Sequence, residues 1–363
     1  MKDALAEKLL ARIMKWTSEV IFEEIPQLQS LASFKYNEYQ QFSTGMRFIE
    51  SLVRWLQQFQ TVEERKIAYG FLKQYLIFIS SDQMSYLVNM VFSDKINPIL
   101  IKKTAQESSG NKYCVSKIIN SKEYKRILRK SLFIGLSDGS RIDQLRRSNG
   151  LDNEQVCTTY DISPEKAKDL SKELHKECKN CKFDSIFLID DFTGSGKSNF
   201  RLEKGKEKGK ILKFLHYIYN GENLDDLIDK ENLYIHILFY LATQHSIKTI
   251  EDNISTWKNT HNISFNHSVQ AIQILGDTIK SSIAKDREFM ELIKNENYFD
   301  ETIIDSHYEK GKCDKPYLGF DECSLPLVLS HNTPNNSLAI LWLPDDKKFQ
   351  GLFPRVTRHR DEW

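Results

Sequence analysis

IFLIDDFTGSGKS, Ile186 to Ser198, carries two phosphate-binding patterns at once. It closes with Gly-Ser-Gly-Lys-Ser, the end of a nucleotide-phosphate loop of the Gly-x-x-x-x-Gly-Lys-Ser/Thr type, yet it opens with four apolar residues and two aspartates. The first pattern needs a glycine five residues before Gly196, where the chain turns sharply out of its strand to wrap the phosphates. Asp191 stands there instead. Its carboxylate repels a triphosphate and its side chain blocks the turn, so an ATPase is the lesser reading.

As a ribosyl-phosphate site, every position has a role. Ile186 to Ile189 read as a buried strand whose carboxyl end delivers Asp190 and Asp191 into the crevice where open parallel sheets bind ligands. Two adjacent carboxylates can accept hydrogen bonds from vicinal ribose hydroxyls and favour positive charge on the ring. Thr193, Gly194, Ser195, Gly196, Lys197 and Ser198 then offer amides and hydroxyls at an expected helix N-terminus, a site for a 5′-phosphate. The plainer alternative is an acidic strand end in a glycine turn.

The flanking sequence supports a sheet. LFIGLSDGS (132–140), LYIHILFYLAT (233–243) and ISFNHSVQAIQIL (263–275) are further apolar runs, and helical stretches alternate with them. Ser163-Pro164 is a cap followed by a first-turn proline, opening a helix through Lys176. This alternation predicts an α/β fold with a parallel sheet flanked by helices. Before it, Asp3 to about Phe92 reads as helical: Phe48, Leu52, Trp55, Leu56 and Phe59 recur at spacings of three and four, as do Tyr69, Leu72, Leu76 and Ile77. The expected division is a helical N-terminal cap region (1–125), an α/β core (126–285) and a C-terminal extension completing the cleft (286–363).

Composition excludes several classes. Lys plus Arg number 51 against 50 acidic residues, so nothing global demands nucleic acid. MKDALAEKLLARIMKW carries charges through what would be the core of a leader or anchor, and no apolar run approaches a membrane span. A cytoplasmic chain with six thiols is expected. His175, Cys178 and Cys181 could supply three zinc ligands, but no second spaced pair completes the set.

FIGLSDGSRIDQLRRSN, FLIDDFTGSGKS and LPLVLSHNTPNNSLAILW together resemble the phosphoribosyltransferase-like effectors of bacterial anti-phage systems, some of them retron-associated. The acidic pair and the Thr/Gly-rich loop are the signature of type I phosphoribosyltransferases. The resemblance implies catalysis by Asp190 and Asp191, and a pyrophosphate loop at Ser137, Asp138, Gly139, Ser140 and Arg141. It implies Mg²⁺ carried by phosphoribosyl pyrophosphate, with no direct protein ligand. It also implies an operon partner such as a reverse transcriptase with its RNA or DNA. The family's mobile basic loop has no clear match; Asp152 to Tyr160 and Lys204 to Lys210 are the two candidates. Without that loop, a nucleotide-sensing or partner-binding module is the alternative to an enzyme.

Leu325 to Leu329 read as a strand entering a polar loop, which offers His331, Asn332 and Asn335 to a cleft. His331 is its one candidate acid or base near neutral pH. Arg146-Arg147, the Lys204–Lys210 run and Arg355 to Arg360 are local basic clusters through which an acidic partner could be met.

Overall fold

The computed structural model describes residues 3–203, 206–220, 224–299, 314–344 and 349–355. Lys204 and Gly205 of the Lys204–Lys210 run and residues 356–360 of the C-terminal basic cluster lie outside them. The chain divides into two compact units, Met1–Met84 with Asp277–Trp363, and Ser85–Gly276.

The first unit opens with four helices: α1 (Asp3–Met14), α2 (Ser18–Phe34), α3 (Phe48–Gln57) and α4 (Val62–Tyr75). A capping box starts α4, with Thr61 Oγ1 accepting from the Glu64 amide at 3.1 Å and Glu64 Oε2 accepting from the Thr61 amide at 2.8 Å. The expected helical run is interrupted after Tyr75. Leu76 leaves helical geometry, and Ile77–Ile79 form strand β1. Two β-branched residues flank Phe78 there, which suits a strand.

The second unit is entered through α5 (Ser81–Val91), α6 (Asn97–Glu107), α7 (Val115–Ile119) and α8 (Lys122–Arg129). Strand and helix then alternate: β2 (Ser131–Gly135), α9 (Ile142–Asn149), β3 (Val156–Cys157), α10 (Pro164–Glu177) and β4 (Ser185–Thr193). A hairpin of β5 (Arg201–Glu203) and β6 (Lys206–Lys208) comes next, then α11 (Lys210–Asn220), β7 (Tyr234–Thr243), α12 (Gln244–His261) and β8 (Asn266–Leu275). Ser163 caps α10 as its sequence predicts, its hydroxyl accepting from the Lys166 amide at 3.2 Å.

The five strands run in the order β3-β2-β4-β7-β8, every pair parallel. The chain therefore winds one way from β2 to β3 and the other way from β4 to β8. The order reverses between β2 and β4, and ligands bind beyond the strand ends at such a switch point. Strand β3 is absent from the sequence reading because two residues carry no periodicity. It also pins part of the Asp152–Tyr160 candidate loop to the sheet edge.

Alternate residues of β4 face opposite sides. Ile186 and Leu188 enter a core with Leu170 and Leu174 of α10, Leu215 of α11 and Ile254 of α12. Phe187 faces the other way, its ring 5.0 Å from Phe133 and 4.7 Å from His236.

The chain closes in the first unit with α13 (Asp277–Lys285), α14 (Arg287–Lys294), β9 (Leu327–Leu329) and α15 (Ala339–Trp342). Strand β9 pairs in parallel with β1. Phe289 stacks on Phe71 at 4.0 Å, and Trp55 Nε1 donates to the Ile340 carbonyl at 2.9 Å. The two ends of the chain thus share one core, and the expected three-part division is replaced by two units. The boundary near 125 moves because α6 and α8 are tied to the sheet unit: Lys103 Nζ lies 2.6 Å from Asp184 Oδ1, and Arg129 Nε 2.9 Å from Glu177 Oε1.

Two side-chain expectations change. Cys178 and Cys181 are joined as a disulfide, while Cys114, Cys157 and Cys323 are thiols. The His175 Nε2 lies 3.1 Å from the Cys181 carbonyl oxygen, and no group of three potential metal ligands occurs among the described residues. Arg146 and Arg147 both pair with Asp143, at 3.2 and 2.6 Å, which offsets that basic cluster.

Candidate functional site

Strand β4 carries Asp190 and Asp191 near its carboxyl end at the switch point, and alternation sends them to different sides of the strand. Asp190 follows Ile186 and Leu188 toward the helix-covered face and is 1% exposed. Its Oδ1 accepts a short hydrogen bond from Ser137 Oγ, and its Oδ2 lies 2.8 Å from Lys210 Nζ. Burial, reinforced by the neighbouring Asp191 charge, pushes its pKa up to about 6, against the opposing pull of Lys210 and Ser137. Asp191 is half-buried, and its Oδ1 accepts from the Phe192 amide at 2.7 Å.

The loop after β2 comes to the same place. The Leu136 amide donates to the Ile189 carbonyl at 2.8 Å, carrying the loop across the end of β4. Asp138–Ser140 form a single 3₁₀ turn, and a Cβ on Gly139 would lie 2.5 Å from Asp191 Oδ2. Only glycine lets this backbone approach the carboxylate so closely. Tyr240 of β7 fixes the far side, its hydroxyl donating to the Ser140 carbonyl at 2.5 Å. Burial first, then the Asp191 and Asp190 charges, raise the Tyr240 pKa, while Arg141 pulls it the other way.

The Thr193–Ser198 loop departs from its expected setting. No helix begins at Lys197-Ser198; a turn over residues 197–199 is followed by the β5–β6 hairpin. A nucleotide-phosphate loop of the ATPase type needs its helix there, so this geometry also weakens that reading. Helix α11 instead starts behind the turn: the Lys210 amide donates to the Ser198 carbonyl at 3.3 Å and the Ile211 amide to Asn199 at 3.1 Å. The hairpin is an insertion between the turn and its helix. Thr243 Oγ1 donates to the Gly194 carbonyl at 2.6 Å and Ser246 Oγ to Thr193 at 3.0 Å, fixing the loop to the end of β7 and start of α12. The Lys197 amide donates to Ser195 Oγ at 3.3 Å. Inside the loop, the Thr193 hydroxyl and the Asn199 side-chain oxygen are buried without a hydrogen-bond partner among the described residues. Buried polar atoms are rarely left so without a ligand or water to complete them.

A family model described as PRTase-CE matches residues 52–355, most of the chain. The chain belongs to the PRTase-CE family. This family is phosphoribosyltransferase-like, and the match includes the whole parallel sheet with both loops just described. No match was found among curated proteins or solved structures.

In this PRTase-CE member the Asp190–Ser198 and Ser137–Arg141 segments share the sheet unit, whereas His331, Asn332 and Asn335 belong to the other. There the His331 carbonyl accepts from Gln41 Nε2 at 2.8 Å, the Asn332 carbonyl from the Leu329 amide at 3.2 Å, and the Asn335 carbonyl from the Phe320 amide at 2.7 Å. Tyr240, Thr243 and Ser246 are site neighbours that the sequence reading missed. Lys210 closes the Lys204–Lys210 run named as a candidate basic loop and reaches Asp190, whereas Tyr240 is hidden inside an apolar strand. Thr243 ends that strand and Ser246 follows three residues later, a signal that could have been read.

Proposed function

We propose that this protein binds phosphoribosyl pyrophosphate, or a related ribosyl phosphate, beyond the carboxyl end of β4. It transfers or hydrolyses the ribosyl group as an effector of bacterial anti-phage defence. The observation that carries this reading is the meeting of the Asp190-Asp191 pair with a loop whose buried Thr193 hydroxyl has no partner among the described residues. Such a loop suits a ligand rich in phosphate oxygens, and the half-buried Asp191 carboxylate beside it suits sugar hydroxyls.

The chemistry is displacement at C1′. The bond from C1′ to the pyrophosphate oxygen breaks with its electron pair going to pyrophosphate, and a bond from C1′ to the acceptor forms. Positive charge grows on the ring as this happens, and fixed carboxylates beside it stabilise that charge. Ser137 and Lys210 hold Asp190; the Gly139 backbone borders Asp191; Thr243 and Ser246 keep the phosphate loop in shape. Mg²⁺ fits this donor set only as a ligand-borne ion, since both Asp190 oxygens are already engaged and Mg²⁺ takes few protein ligands. When bound it would neutralise charge on the departing pyrophosphate.

A second reading, binding without turnover, is favoured by that same engagement of Asp190. An operon partner, with a reverse transcriptase and its nucleic acid as the proposed holder, fits either reading. The test is to follow labelled phosphoribosyl pyrophosphate in wild type and in Asp190→Asn/Asp191→Asn. Label transfer falling more than roughly tenfold, or about 1.4 kcal/mol of transition-state stabilisation, supports the enzyme. Binding without transfer in wild type supports the second reading, and unchanged transfer in the double variant contradicts the assignment of both aspartates.

A further inference from the structure

Lys210 joins the two halves of the site. Its amide donates to the Ser198 carbonyl at 3.3 Å, at the end of the phosphate loop, and its Nζ lies 2.8 Å from Asp190 Oδ2. Its position is built in by the chain before it. A Cβ on Gly209 would lie 2.2 Å from the Asn199 carbonyl oxygen, so the hairpin returns against the turn through a contact only glycine allows. Upstream, Glu207 of β6 holds that return in place. Its carboxylate oxygens lie 2.7 Å from His216 Nε2 and 2.7 Å from His261 Nε2, and it accepts from Trp257 Nε1 at 3.1 Å. Glu207 thus clasps α11 and α12 together three residues before Lys210.

The geometry points to Lys210 as the positioning residue of the site. Through its ion pair it holds Asp190 as a carboxylate in one orientation, and the half-buried Asp191 is the member of the pair that meets the ribose hydroxyls. The two aspartates are then unequal. Asp190 gives its Oδ1 to Ser137 and its Oδ2 to Lys210 and is closed to solvent, so its contribution to the ligand is its charge rather than a hydrogen bond. A buried carboxylate that loses its cation is left uncompensated and takes up a proton instead. The groups facing Asp190 are Asp191 on its own strand, Ser137 on the loop after β2, Lys210 on α11, and Tyr240 on β7 through its charge interaction. Of these only Lys210 carries a positive charge. Its side chain is 33% exposed, so it can be replaced without opening the core.

This role rests on the ribosyl-phosphate reading for its ligand but not for its first test. That test follows the Asp190 carboxyl by ¹³C NMR titration in the ligand-free protein, comparing wild type with Lys210→Met and Lys210→Arg. The Asp190 midpoint should rise by about one pH unit or more in Lys210→Met and stay near wild type in Lys210→Arg. An unchanged midpoint in Lys210→Met overturns the proposal. Affinity for phosphoribosyl pyrophosphate with Mg²⁺ is then measured across pH. In Lys210→Met it should fall roughly tenfold near neutrality and recover as pH rises and Asp190 ionises, with Lys210→Arg restoring it throughout. A loss that does not change with pH overturns the positioning role, because a direct ligand contact or a general fold defect would behave that way. Should Lys210→Met fail to fold, Ser137→Ala must raise the same midpoint, since it removes the other bond to the carboxylate; no rise overturns the proposal. Wild type that binds no ribosyl ligand at any pH, with the midpoint shifts intact, counts against the ligand alone.

Discussion

Two stretches of this chain look alike as sequence, Ile186–Ser198 and Leu325–Ser337: each is an apolar strand running into a loop crowded with hydrogen-bonding side chains. Their polar groups are spent differently. In the second, Thr333 Oγ1 donates to the Phe353 carbonyl at 2.9 Å, the Tyr39 hydroxyl accepts from the Thr333 amide at 3.2 Å, and Ser337 Oγ donates to Leu327 at 2.6 Å. Asn336 Nδ2 donates to the Phe320 carbonyl at 3.2 Å, while the buried Ser330 Oγ and His331 Nδ1 atoms make no hydrogen bond among the described residues. That loop knits together distant parts of its own unit. In the first, a carboxylate is buried at the cost of a raised pKa, and Thr193 and Asn199 keep unsatisfied buried atoms. A buried, ion-paired carboxylate, not the number of unsatisfied buried atoms, separates the loop at the site from the one that holds a fold.

Substitutions can break this contrast. The largest effect is expected at Thr333→Ala, which removes the hydroxyl that bonds both the buried Phe353 carbonyl and Tyr39, leaving Tyr39 as that carbonyl's remaining donor. Denaturant unfolding should show a loss of about 2–3 kcal/mol, with affinity for the ribosyl ligand unchanged. A loss of affinity at unchanged stability would erase the distinction between the loops. Gly139→Ala should do the reverse, because the new methyl collides with Asp191. Ligand affinity falls roughly tenfold, about 1.4 kcal/mol, while stability moves by less than about 0.5 kcal/mol. Unchanged affinity would show that the loop after β2 has no part in binding.

The smallest effect concerns Asp190 itself. Its folded pKa of about 6 lies above the ordinary carboxylate value, so the fold binds that proton more tightly than the unfolded chain does. The resulting stability is complete below the unfolded pKa and is lost as pH rises through about 6. Asp190→Asn cannot ionise, and its Lys210 partner can turn to water. The variant should therefore be more stable than wild type above that pH, by about 1 kcal/mol, with the gain fading in acid. Thermal melts across pH check this; a variant less stable than wild type above neutrality would make Asp190 a structural residue.

Much of this was legible in the sequence because the signals are local. The runs at 132–140, 186–189, 233–243 and 263–275 each overlap a strand of the sheet, and Ser163-Pro164 opens its helix. The misses are of two physical kinds. Strands β1 and β3 are only three and two residues long, too short for a period to show, and both are defined by the strand they pair with. Other features depend on distant partners: Lys210 reaches a carboxylate 20 residues away, and Thr333 meets a tyrosine 294 residues away. The helix expected at Ser198 is present but displaced, because a hairpin interrupts the chain between the turn and α11. A local pattern cannot reveal an insertion whose ends return to the same place.

The central claim is that the Asp190–Ser198 site is made for a ribosyl phosphate rather than a nucleoside triphosphate. Titration calorimetry of the full chain with phosphoribosyl pyrophosphate and, separately, with ATP, both with Mg²⁺, tests it directly. The account predicts saturable binding of the ribosyl ligand, abolished in Asp190→Asn/Asp191→Asn, and weaker or no binding of ATP. Tight binding of ATP with none of phosphoribosyl pyrophosphate would contradict it.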